Sequence, residues 1–118
     1  MAFQTMGMNI RYGMLDASNV KALAAAGSDQ AGAAAIKSSV VRVSGASGTN
    51  GVRLPKPNKP MQVAVYSSVS ANGLLVYPHT GGTINDGTAN AAVTIEGRTP
   101  ALFIYDGTTW EAFFTANT

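Results

Sequence analysis

Apolar residues recur along this chain mainly with a period of two, in short stretches bounded by glycine, proline, asparagine or aspartate. Met6, Met8, Ile10, Tyr12 and Met14 alternate strictly with Gly7, Asn9, Arg11 and Gly13, which predicts a half-buried strand or arm. Methionine is flexible and fills irregular surfaces, so this face suits docking on a partner as well as on the protein's own sheet. Between residues 16 and 36 the pattern weakens. Asp16 or Ser18 is placed to cap a short helix through Val20, Leu23 and Ala26 to Gly27, and 28–35 reads as an extended connector of small and polar residues.

From Ser38 onward the strands are clearer. Val40, Val41 and Val43 form a β-branched run that stops at the glycine-rich stretch 45–51, and Val52 to Leu54 resume it briefly. Pro55, Pro57 and Pro60 each remove a backbone donor, which assigns their segment to an edge or rim. Met61 to Tyr66 alternates as a central strand should; Leu74 to Tyr77, ended by Pro78, and Ala92 to Ile95 are two further short strands. The last hairpin runs from Leu102 to Tyr105, turns at Asp106-Gly107-Thr108-Thr109 and returns through Trp110 to Phe114. Asn50-Gly51, Asn72-Gly73, Asp86-Gly87 and Asp106-Gly107 are all pairs that accept the positive φ of tight turns, and Gly45, Gly48 and Gly51 also read as turn glycines. The expected fold is therefore all-β: a small antiparallel sandwich or barrel with an extended N-terminal arm, divided as arm and connector (1–25) and β domain (26–118).

Composition changes this picture in one respect. The 118 residues are enough for one domain, but 46% are hydrophobic and only 12% charged, against about 25% charged in a typical soluble domain. A surface built from Ser, Thr, Asn, Gly and Ala associates readily. The net charge of +2 is too small to argue for nucleic acid, yet its distribution is uneven. No acid lies between Asp29 and Asp86, where Lys37, Arg42, Arg53, Lys56 and Lys59 fall, whereas Asp86, Glu96, Asp106 and Glu111 follow. Arg42, Arg53 and Lys56 are accordingly candidate contacts to a subunit or an acidic surface. With no cysteine there is neither disulfide nor thiolate chemistry. The N-terminus lacks the pattern of a secretory signal and no run reaches the length of a membrane span, so synthesis in a cytoplasm and no membrane partner are expected.

A search for reactive constellations finds little. His79 is the only histidine and sits in a glycine-rich loop, with no acid and nucleophile nearby to complete a triad. One histidine and six scattered carboxylates supply neither a zinc set nor a calcium loop, and the glycines lack phosphate-loop or dinucleotide order, so neither an enzyme nor a cofactor is expected. Tyr66, Tyr77, Tyr105 and Trp110 offer faces on which a sugar could stack, but their aliphatic neighbours assign them to the core.

The string Gly51-Val52-Arg53-Leu54-Pro55, then Val63-Ala64-Val65-Tyr66, Leu75-Val76-Tyr77-Pro78, Gly82-Thr83-Ile84-Asn85 and Phe103-Ile104-Tyr105-Asp106-Gly107-Thr108-Thr109-Trp110, resembles a recurrent small structural domain of tailed bacteriophages. With Ala26 to Ala31 the likeness covers about residues 26–114, and in scale the chain is similar to head decoration, or cement, proteins. That resemblance implies a virion component on the capsid surface, bound in many copies to the major capsid protein, commonly as a homotrimer. Met6, Met8, Ile10, Tyr12 and Met14 are then the candidate arm, with Arg42, Arg53 and Lys56 as a second contact. The alternative expectation is a tail-fibre or spike module that binds a host-surface glycan, in which Tyr77, His79 or Trp110 lines an exposed groove.

Overall fold

The computed structural model describes residues 20–114, which form nine strands and no helix. These are β1 (Val20–Ala24), β2 (Ala34–Ala35), β3 (Val40–Ser44), β4 (Gly51–Arg53), β5 (Met61–Ser67), β6 (Leu74–Tyr77), β7 (Val93–Ile95), β8 (Pro100–Tyr105) and β9 (Trp110–Phe113). They make a five-stranded sheet in the order β1-β3-β5-β8-β9 and a four-stranded sheet in the order β2-β4-β6-β7. The central position expected for the strand beginning at Met61 is the one β5 occupies.

The expected antiparallel arrangement is corrected: both sheets are mixed. From β1 to β6 the chain alternates between sheets, so each strand lies beside the one two places earlier and runs parallel to it. Parallel neighbours need a long crossover, usually a helix. Here each crossover carries a strand of the opposite sheet, and the chain winds in coils. Only β7, β8 and β9 reverse direction, pairing antiparallel with β6, β5 and β8. The helix considered through Val20, Leu23 and Ala26 is a strand instead, because β1 finds a complete parallel partner in β3 from Val20↔Val40 to Ala24↔Ser44. Gly27 still takes a positive φ of 72°, at a corner between sheets and not at a helix end.

Each sheet buries one face in a common core. Val41, Val43, Val63, Val65, Ala101, Phe103 and Trp110 come from the five-stranded sheet, and Val52, Leu74, Val76 and Ile95 from the four-stranded one. Ile36, Leu54 and Ile84 fill in from the connections. The alternation along β5, in which Val63, Val65 and Ser67 are buried between more accessible neighbours, is the sequence period made physical.

Coiling brings backbones very close at one glycine. Gly51 is buried at the start of β4 and exchanges two 3.0 Å backbone hydrogen bonds with Ala26. A Cβ there would overlap the Leu75 carbonyl oxygen and come within 2.9 Å of the Leu75 side chain. It is thus a strand glycine demanded by contact between coils, not the turn glycine expected, whereas Gly45 and Gly48 do sit at positive φ. Gly51→Ala is expected to destabilise the domain by about 1–3 kcal/mol. Urea titration should show a lower midpoint with an unchanged slope; an unaltered midpoint would refute the close approach.

Candidate functional site

The parallel stacking of β2, β4 and β6 sets three strand ends side by side. Ala35 pairs with Arg53 and Arg53 with Tyr77, and the ladder continues past the strands through Ile36 N–H to Arg53 O and Leu54 N–H to Tyr77 O, both 2.9 Å. The residues that follow each strand therefore converge. Lys37, Lys56, and His79 with Thr80 come from segments about twenty residues apart and surround one cleft of about 440 Å³ with Arg53. Ile36 and Leu54, both buried, and the half-buried Pro55 form its apolar part. Of the three prolines expected at an edge or rim, Pro55 lines this cleft.

Of the candidate cations, Arg53 and Lys56 are brought together here, joined by Lys37, which sequence reasoning did not single out. Arg42 is elsewhere: it is exposed on β3, on the opposite sheet, between Ala22 and Tyr66 in register. The Arg53 guanidinium is anchored, its Nη1 donating to the carbonyls of Gln30 at 2.9 Å and Ala31 at 3.3 Å. The loop it grips is itself braced by Gly32 N–H on Asp29 Oδ1 and by Gln30 Nε2 on Pro78 O.

His79 is more than the surface loop residue its sequence context suggests. Its Nδ1 accepts a 3.1 Å hydrogen bond from the indole N–H of Trp110, and its ring meets Tyr105 edge to face at 5.9 Å. Burial, and secondarily the positive charge of Lys56, hold its proton affinity below the ordinary 6.5. In this pH range the unfolded chain binds more protons than the folded one, so stability rises with pH. The stability conferred by keeping His79 neutral is complete above the unfolded value of 6.5 and declines as pH falls below it. The melting temperature is expected to be lower at pH 5.5 than at pH 7.5. In His79→Gln, which keeps an acceptor for Trp110 but does not titrate, that difference should shrink; an unchanged difference would put the effect elsewhere.

A second surface is apolar. On the outer face of the five-stranded sheet, Val20, Val40, Ala64, Leu102 and Phe113 fall in one register row that crosses every strand. Val20 is 44% and Phe113 57% exposed. Beside this row Tyr66 and Pro100 complete a shallow groove of about 280 Å³. The row was missed in sequence, although one signal was present: these residues have the parity opposite to Val41, Val65 and Phe103, which face the core. Met6, Met8, Ile10, Tyr12 and Met14 lie outside the described residues.

Of the four aromatics assigned to the core, Trp110 and Tyr77 are buried, at 0% and 9% exposure, whereas Tyr66 and Tyr105 are half-buried and Tyr66 lines the apolar groove. Of Tyr77, His79 and Trp110, His79 lines the cationic cleft. Among the described residues no group of three His, Asp or Glu side chains is arranged to hold a metal, and no helix is long and apolar enough to cross a membrane. These residues define a strand-rich, two-sheet module with a cationic cleft at the ends of β2, β4 and β6 and an apolar face that the described residues leave uncovered. Comparisons with protein-family models, curated proteins and solved structures return no match to this chain.

Proposed function

We propose that this chain is a virion structural protein: a head decoration, or cement, protein of a tailed bacteriophage that binds the outer shell in many copies. The observation that carries this reading is the register row Val20, Val40, Ala64, Leu102 and Phe113, an apolar stripe across a whole sheet that the described part of the domain leaves uncovered. Contiguous exposed apolar area on a small domain marks a surface used for association. The low charge content and the likeness to phage structural domains agree with it. The two sheets, taken as a sandwich, supply a stiff body. On this proposal Met6, Met8, Ile10, Tyr12 and Met14, which lie outside the described residues, contact a neighbouring subunit, and Arg53 and Lys56 contact the major capsid protein.

On this reading the role is mechanical and not catalytic. Many modest contacts, each bridging adjacent shell subunits, add up to a shell that resists the pressure of its packaged genome. Buried Trp110 and Tyr77 weigh against the glycan-binding alternative. Quantitative mass spectrometry of purified particles tests the proposal. A copy number near one per major capsid protein is expected; a few copies per particle would place the chain at a tail or fibre, and absence from particles would overturn the reading.

A further inference from the structure

We propose that the cleft at the ends of β2, β4 and β6 is a carboxylate-binding site that seats an acidic segment of a neighbouring protein chain. This rests on the assembly reading above and gives its polar contact a chemistry.

The site is a product of the coiled topology. Three strand ends in parallel register deliver Lys37, Lys56 and His79 to one place, and Arg53 joins them from the last position of β4. Among the described residues no Asp or Glu lines the cleft, and the sequence carries none from residue 30 to residue 85. Like charges gathered without a counter-charge repel, and a bound carboxylate relieves that repulsion while it forms charge-assisted hydrogen bonds. The proton affinity of His79 is lowered first by burial and second by the nearby charge of Lys56.

Two of the donors are held in place before any ligand arrives. Arg53 spends Nη1 on Gln30 and Ala31, which fixes a guanidinium whose planar fork matches a carboxylate. His79 accepts from Trp110 through Nδ1, so the neutral ring carries its proton on Nε2 as a donor. The exposed Lys37 and Lys56 supply mobile charge at the lip. The half-buried Pro55, backed by the core residues Ile36 and Leu54, gives the cleft an apolar wall for the methylene stem of a glutamate.

The same features disfavour nucleic acid. Single-strand binders combine a long basic groove with stacking faces, whereas this cleft has three permanent cations and the nearby Trp110 and Tyr77 are buried.

The chain's only tryptophan gives the test a local reporter, because its indole N–H is bonded to His79. The full chain, labelled with nitrogen-15, is titrated with an end-blocked glutamate hexapeptide, and separately with a glutamine hexapeptide, inorganic phosphate and a short single-stranded oligonucleotide. The glutamate peptide should shift the Trp110 indole resonance and the amides of Lys37, Arg53, Lys56 and Thr80, more weakly at high salt. The double variant Lys37→Gln, Lys56→Gln should bind it at least about tenfold more weakly with an unchanged melting temperature, since both side chains are exposed. No shift at the cleft, or equal response to the glutamine peptide, overturns the site. Tighter binding of phosphate or oligonucleotide than of the glutamate peptide overturns the ligand class. If the double variant loses the peptide yet joins particles at wild-type copy number, the acidic partner is not the shell and the proposed contact fails while the assembly reading stands. If the wild-type chain is absent from particles but binds the peptide, the assembly reading fails and the carboxylate site stands.

Discussion

Trp110→Ala is expected to remove a large share of the stability of the domain. Trp110 is fully buried at the start of β9, and three kinds of contact meet there. Its ring packs against Tyr105 at a centroid distance of 5.3 Å and donates to His79. Its backbone is clasped by the long connection between β6 and β7, with Trp110 N–H on Thr83 O at 3.0 Å and Asn85 N–H on Trp110 O at 2.9 Å. Asn85 then accepts Ala112 N–H on Oδ1 at 2.8 Å, from a backbone φ of 54°. Truncating a buried tryptophan costs about 3–5 kcal/mol, set against a total of about 5–15 kcal/mol for a domain. A fall in melting temperature of roughly 10–25 °C follows. Trp110→Phe retains a ring but strands the His79 acceptor, and should cost about 1–2 kcal/mol. If Trp110→Ala lost less than about 1 kcal/mol by urea titration, the buried indole would not be the packing anchor that its burial and ring contacts describe.

Much of the strand content was legible because a pleated strand buried on one face must alternate. β5 follows that rule; β6 and the β8–β9 hairpin were legible as short apolar runs bounded by turn residues, and Asp106 marks the hairpin turn by accepting from the backbone of Thr108 and Thr109, both at 2.9 Å. The sheet assignment was not legible, for a physical reason. An Asn-Gly or Asp-Gly pair states that the chain bends, not where it goes next. Asp106-Gly107 closes a hairpin within one sheet, whereas the chain around Asn50-Gly51 and Asn72-Gly73 passes from the five-stranded sheet to the four-stranded one. The same residues serve both purposes. The cationic cleft was half visible for a related reason: the run of cations without acids could be read, but the convergence of Lys37, Lys56 and His79 needs the parallel register that sequence did not reveal. Arg42, equally basic, follows the other sheet and is left out.

The outer-face row gives the prediction of largest functional effect. Leu102→Glu combined with Phe113→Glu places two charges at adjacent register positions at the β8–β9 end of the apolar stripe. Both side chains lie on the face away from Val63 and Phe103, so the fold should lose about 1 kcal/mol or less. Association should suffer far more. Losing two apolar anchors costs about 1.5–3 kcal/mol each, and burying unpaired carboxylates adds to it, so affinity for particles is expected to fall by roughly 100- to 10,000-fold. Co-sedimentation of purified variant with stripped particles measures this, with a melting curve as the control for folding. Arg42→Gln, on the same face but one row away, provides the contrast: loss of a single exposed charge should change affinity by no more than about fivefold. A folded double variant that still binds within about threefold of the parent would show that the stripe is not the surface through which this protein assembles. The cationic cleft would then have to carry the contact alone, with an affinity that falls steeply as salt is raised.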